Sequence, residues 1–147
     1  MTRILCVCLG NICRSPTAEA VLRQMDPMLT VDSAGTGDWH IGSPPYAPAI
    51  AAGKARGYDL STLRARQFSA SDFARFDLIL AMDSANLDSI EALRPRGSDT
   101  PVRLFLDFAD GFQGQDIPDP YFTRDFNGAL DLVETAASGL LTTLGRN

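Results

Sequence analysis

Residues 4–20 read ILCVCLGNICRSPTAEA, and the fold turns on how this stretch divides. Ile4 to Cys8 is a short, continuous apolar run, the pattern of a strand buried on both faces. Leu9 to Arg14 is a brief interruption containing Gly10 and Asn11. Ser15 then suits a helix N-cap, and Pro16 the first helical position, where its missing N–H would be unpaired anyway. Ala18, Val21, Leu22 and Met25 fall on one face of the helix that follows. A strand, a tight loop and a helix in this order form the first half of a parallel α/β unit.

The rest of the chain repeats the alternation. Leu78 to Met82 is a second continuous apolar run and Val102 to Leu106 a third. Leu29 to Ala34 is more alternating and polar, so it reads as an edge strand. Helices are expected over Pro48 to Arg56, shortly after Ser71, around Leu87, Ile90 and Leu93, and along Phe126, Leu130, Val133, Ala137, Leu140 and Leu144. Strands alternating with helices predict a single α/β domain over residues 1–147, with a parallel sheet covered by helices on both faces. In such sheets ligands bind beyond the carboxyl ends of the strands, which is where Leu9 to Arg14 would lie.

Composition narrows the function. The formal charge of −5 over 147 residues argues against a nucleic-acid partner, though a local field can still attract an anion. No apolar run reaches the length of a membrane span, and the N-terminal residues do not resemble a signal peptide. Three clustered cysteines, Cys6, Cys8 and Cys13, make a poor disulfide framework and point to a reducing cytoplasm. With the single His40 they would supply four zinc ligands, but the spacing is wrong and Arg14 opposes a cation, so no metal is expected.

The loop itself suggests an anion site. The N–H groups and dipole of the following helix face it. Gly10 and Asn11 can turn successive N–H groups inward, and Arg14 offers a planar fork for two phosphate oxygens. Helix N-termini and nearby cations favour the thiolate of a cysteine, so Cys8 is placed for nucleophilic attack on a bound phosphoryl group. Cys6, two residues back, should point into the packed sheet.

These residues carry a resemblance. The stretch VCLGNICRSPTAEAVL is similar to the signature of the low-molecular-weight protein tyrosine phosphatases, and the likeness continues through DSAGTGDWHIGSPP, ARQFSASDFARFDLILAMDSANL and IPDPYF. It implies a four-stranded parallel sheet flanked by helices, with the phosphate-binding loop after the first strand. It implies Cys8 as nucleophile, Arg14 as phosphate clamp, Asn11 as shaper of the loop and Ser15 as hydrogen-bond donor to the sulfur. Leu9, Gly10, Ile12 and Cys13 complete the loop around the phosphate. The activity implied is hydrolysis of protein phosphotyrosine and small aryl phosphates, without a cofactor.

A general acid must protonate the leaving phenolate. From the residues alone Asp107, Asp110, Asp116 and Asp119 all qualify, and the Pro118-Asp119-Pro120 sequence could be no more than a rigid turn. The resemblance selects Asp119. It also makes Trp39, Tyr121 and Phe122 the walls beside the substrate ring, a slot that favours phosphotyrosine over the shorter phosphoserine. His40 is expected to support a loop. Cys13 is expected to trap oxidised Cys8 as a reversible disulfide.

Two departures stand out. Leu63 occupies a position where family members often carry a histidine that supports the loop asparagine, so the contacts of Asn11 should differ. PPYAPA, around Tyr46, lacks the acidic residue common after the proline pair. Of the alternatives, an arsenate reductase of the same fold would need cysteines after Cys13, and none exist. A protein arginine phosphatase usually has threonine where Ile12 stands. A non-catalytic phosphate-binding module would not need Cys8, Arg14 and Asp119 together. The expected partner is a tyrosine-phosphorylated protein, with a tyrosine kinase among the candidates, and the chain is expected to be a cytoplasmic monomer.

Overall fold

The computed structural model describes residues 2–145. Four strands, β1 (Arg3–Cys8), β2 (Thr30–Gly35), β3 (Leu78–Ala81) and β4 (Val102–Leu104), form one parallel sheet in the order β2-β1-β3-β4. The two most hydrophobic runs take the middle and the alternating run takes an edge, as burial on two faces or one requires. β1 pairs with β2 from Arg3 opposite Thr30 to Cys8 opposite Gly35, and with β3 from Ile4 opposite Leu78 to Val7 opposite Ala81.

The pleat sends alternate residues of β1 into two cores. Ile4, Cys6 and Cys8 join the larger core with Val21 and Leu22 of helix α1 (Arg14–Met25) and Leu130, Val133, Ala137 and Leu140 of helix α6 (Phe126–Thr143). Helix α2 (Ala47–Ala55) completes that layer. Leu5 and Val7 face the other side, against Phe68, Phe73 and Phe76 around helix α3 (Asp72–Arg75) and Ile90 of helix α4 (Ser84–Glu91). Cys6 is fully buried, as its place on the strand implies.

Some expectations need correcting. The third apolar run is a strand only to Leu104; Phe105 to Phe108 turn into a 3₁₀ helix that tucks Phe105 and Leu106 into the core. Leu93 lies beyond the end of α4 and is exposed, and Met25, in the last turn of α1, is also exposed. The helix α1 begins at Arg14, with Cys13 as its N-cap residue and no side-chain cap. Ser15 is therefore inside the helix, and its hydroxyl is engaged elsewhere. The short helix α5 (Pro120–Thr123), just before α6, is a single turn whose N-cap Asp119 accepts from the Tyr121 N–H at 3.0 Å.

Candidate active site

The loop from Leu9 to Cys13 leaves the carboxyl end of β1 and wraps around the Cys8 sulfur. Asn11 sits at φ 56°, in the left-handed region, which turns its N–H back onto Cys8 Sγ at 3.2 Å. Gly10 does not use a left-handed conformation; its missing side chain makes room for the His40 ring, which would lie 3.2 Å from a Cβ there. Gly35, at the end of β2, has a similar reason: a Cβ would stand 2.8 Å from the Leu9 carbonyl oxygen. Among the described residues, the N–H groups of Leu9, Gly10, Ile12, Cys13 and Arg14 donate to no protein acceptor. Such a set of convergent donors is suited to an anion.

Ser15 Oγ lies 3.0 Å from Cys8 Sγ, and this contact replaces the capping role expected of it. The hydroxyl accepts from Asn11 Nδ2 at 2.8 Å, leaving its own hydrogen for the sulfur or, at 3.4 Å, for the Ala34 carbonyl. The other hydrogen of the same amide goes to Ser33 Oγ at 3.0 Å, and Ser33 donates to buried Glu19 at 2.6 Å. Asn11 Oδ1 accepts the Arg66 backbone N–H at 3.0 Å. The amide is thus satisfied without a histidine at position 63, where Leu63 packs against the larger core. Arg66 is fixed in turn by Asp32 at 3.0 Å and by Asp72, fully buried, at 3.1 Å. Burial pushes the Glu19 carboxyl up, while Ser33 and Arg23 oppose the shift.

Arg14 is 4% exposed, and the way it is tied down decides which edge it offers. Its Nη1 donates to Asp83 Oδ2 at 2.8 Å and to the Ile117 carbonyl at 2.9 Å. Both Nη1 hydrogens are then committed to the protein, which leaves the Nε and Nη2 edge for a bidentate contact with phosphate. Nη2 lies 3.6 Å from Asp119 Oδ2. Burial disfavours the charge on Arg14, but Cys8, Asp83 and Asp119 outweigh it and raise the pKa.

A cavity of about 140 Å³ opens above the sulfur, lined by Cys8, Leu9, Gly10, Ile12, Cys13, Arg14, Trp39, His40, Asp119, Tyr121 and Phe122. Cys8, 3% exposed, lies at its base, while Trp39 and Phe122 are 69% and 73% exposed at its mouth. Of the four candidate acids only Asp119 reaches the cavity. Asp116 instead accepts from the Ser84 N–H and hydroxyl, and Asp107 from the Gly114 N–H. Asn11 and Ser15 are not among the residues lining the cavity; both contact the Cys8 sulfur, through the Asn11 N–H and the Ser15 hydroxyl. Cys13 has its thiol pushed up to about 12, by burial first and then by Asp119 and Cys8. All three cysteines are free, and among the described residues no group of His, Cys, Asp and Glu is arranged to hold a metal ion.

The profile of the low molecular weight phosphotyrosine protein phosphatase family matches residues 3–147. The chain belongs to that family. It is 41% identical over 155 residues to a low molecular weight protein-tyrosine-phosphatase of Streptomyces coelicolor, covering 97% of this chain and 93% of the relative. The crystal structure of YfkJ from Bacillus subtilis superposes with a TM-score of 0.92 at 35% identity, over 99% of this chain and 96% of that one. Wzb of Vibrio vulnificus, solved in complex with benzylphosphonate, superposes with a TM-score of 0.85 at 33% identity, over 97% and 98% of the two chains.

Reading the sequence missed Asp83, Arg66, Ser33 and Glu19, and gave His40 no place at the cavity. Asp83 had a signal: it stands two residues after the end of the buried strand β3, at the sheet end where ligands gather. The others act through contacts between residues distant in sequence, which no local pattern announces.

Proposed function

We propose that this phosphatase hydrolyses phosphotyrosine in proteins through a cysteinyl-phosphate intermediate, with residues 1–147 acting as one domain. Cys8 Sγ attacks phosphorus opposite the tyrosyl oxygen. As the P–O bond breaks, Asp119 gives its proton to that oxygen and tyrosine departs. Asp119, now a carboxylate, takes a proton from water, whose oxygen attacks the phosphorus. The S–P bond breaks, phosphate leaves, and the electron pair returns to sulfur. Arg14 and the loop N–H groups hold the equatorial oxygens in both steps. The convergence of Cys8, Arg14 and Asp119 on one cavity carries this reading.

The depth of Cys8 supports phosphotyrosine as substrate, because a long, flat side chain is needed to pass between Trp39, Tyr121 and Phe122. Benzylphosphonate, bound by Wzb, has the same shape of an aromatic ring with a phosphoryl head. The apolar Ile12 in the loop supports an aryl ester over a guanidinium phosphate. The phosphoprotein is a tyrosine kinase or another tyrosine-phosphorylated protein, met in the cytoplasm by a monomeric enzyme. Among the described residues no helix is long and apolar enough to cross a membrane. Cys13 serves as the trap for oxidised Cys8: the sulfenic acid loses its oxygen as water when the Cys13 sulfur closes the disulfide.

The decisive experiment is turnover of an aryl phosphate by Cys8→Ser. The variant should lose hydrolysis while still binding vanadate, since the loop N–H groups and Arg14 remain. Turnover near the parent rate would remove Cys8 from the nucleophile's role.

A further inference from the structure

We propose that Arg124 and Tyr46 form a clasp between the phosphate loop and the turn carrying Asp119, which makes Arg124 a positioning residue for the acid. The helix α5 is four residues long, and Tyr121 to Asp125 are all exposed. One helical turn cannot hold itself in water. Something outside it has to fix the direction of Asp119.

The clasp is built in three contacts. Tyr46 belongs to the phosphate loop by its backbone, since its N–H donates to the Ile12 carbonyl at 2.8 Å. Its ring packs against Tyr121 with centroids 5.2 Å apart. Arg124 then closes the arrangement: its guanidinium carbon stands 5.3 Å from the ring centres of both Tyr46 and Phe126. Nη1 donates to Tyr46 Oη at 3.2 Å and to the Tyr121 carbonyl at 3.3 Å. The cation therefore ties the C-terminus of α5 to the start of α6 and to Tyr46 at once.

The backbone points the same way. Arg124 has φ 64°, a left-handed conformation unfavourable to any residue with a Cβ. Its N–H closes α5 onto the Pro120 carbonyl at 2.8 Å. A side chain held in a strained conformation needs compensating contacts, and the two aromatic rings and two acceptors supply them. Arg124 is absent from the cavity wall, so it acts through Tyr121 and Asp119.

The proposal rests on Asp119 being the general acid, and one series of substrates tests both. Hydrolysis by Arg124→Gly, Arg124→Lys and Asp119→Asn is measured on aryl phosphates whose leaving groups grow steadily poorer. Glycine suits the left-handed backbone, so Arg124→Gly removes the cation without disturbing the turn. It should lose about 10- to 100-fold on poor leaving groups, which is less than or similar to loss of the acid itself, and little on p-nitrophenyl phosphate. Vanadate affinity should stay near the parent value, and Arg124→Lys should recover part of the rate. If Asp119→Asn shows the leaving-group dependence and Arg124→Gly matches the parent throughout, the clasp is refuted alone. If Asp119→Asn shows no such dependence, the acid assignment fails and the clasp with it. Uniform slowing by Arg124→Gly, with loss of vanadate binding, would also overturn the proposal.

Discussion

Asn11 combines a left-handed backbone with three side-chain hydrogen bonds, and two substitutions can separate these contributions. Both Asn11→Ala and Asn11→Gly remove the bonds to Ser15, Ser33 and the Arg66 N–H. The two serine hydroxyls keep other partners, so their loss is modest. The Arg66 N–H is left without its acceptor in a partly buried place. At about 0.5–1.5 kcal/mol for each hydrogen bond, the shared loss is roughly 2–3 kcal/mol. Alanine also has to hold φ 56°, which adds about 1 kcal/mol relative to glycine after allowing for glycine's greater freedom when unfolded. Asn11→Ala should therefore fall about 3–4 kcal/mol below the parent and Asn11→Gly about 2–3 kcal/mol below it. For a domain of this size, that separates their melting temperatures by roughly 3–4 °C. Urea denaturation at constant m value checks the free energies, and calorimetry checks the order. Equal stability of the two variants would refute the backbone argument. A loss below about 1 kcal/mol in both would show that the amide is not a structural centre of the loop.

Two further outcomes follow from the site. Asp83 also caps α4, accepting from the Asn86 N–H at 2.7 Å, so Asp83→Asn keeps a competent cap while removing the carboxylate from Arg14. It should lower kcat/KM about tenfold with stability nearly unchanged, whereas Asp83→Ala loses about a further 1 kcal/mol of stability; unchanged kcat/KM in both would mean that Arg14 needs no such anchor. With its thiol pushed up to about 12, Cys13 is protonated through the neutral range. After peroxide treatment, closure of a Cys8–Cys13 disulfide should accelerate about tenfold per pH unit as pH rises below that value, because the thiolate attacks. Mass spectrometry of quenched samples follows it, and a flat pH dependence or a Cys6–Cys8 link would sink the trapping role.

Much of this architecture was readable in order along the chain, because its elements are set by short-range patterns. The double-faced burial of β1 follows from unbroken apolar character, and the inner stripe of α6 from helical spacing over 18 residues. Legibility failed where a run of hydrophobic residues changed conformation without changing polarity, as at Leu104 and Phe105. Ser15 was misplaced for a different reason. Its preference for a cap was outweighed by a buried sulfur 3.0 Å away, a contact that exists only after the loop has closed. Cys8 and Arg14 could be singled out from the local chemistry of the loop and Asp119 only from the family resemblance, and all three line one cavity, but Asp83 and Arg66 belong to a web of long-range contacts.

The manner in which Arg14 is anchored sets an order on when its geometry can be completed. Its partners Asp83 and Ile117 lie 69 and 103 residues further along the chain. While the polypeptide is being synthesised, Cys8 and Arg14 emerge early, but the groups that orient Arg14 emerge much later. α1 also waits for α6, the last helix, to cover its apolar face. A chain that stops before Ile117 therefore holds Cys8 and Arg14 but lacks one of the two acceptors that fix the guanidinium. The orientation of Arg14 is thus a property of the closed domain and not of the loop that carries it, because the sheet end at Asp83 and the segment at Ile117 must both be in place before the guanidinium has a fixed direction.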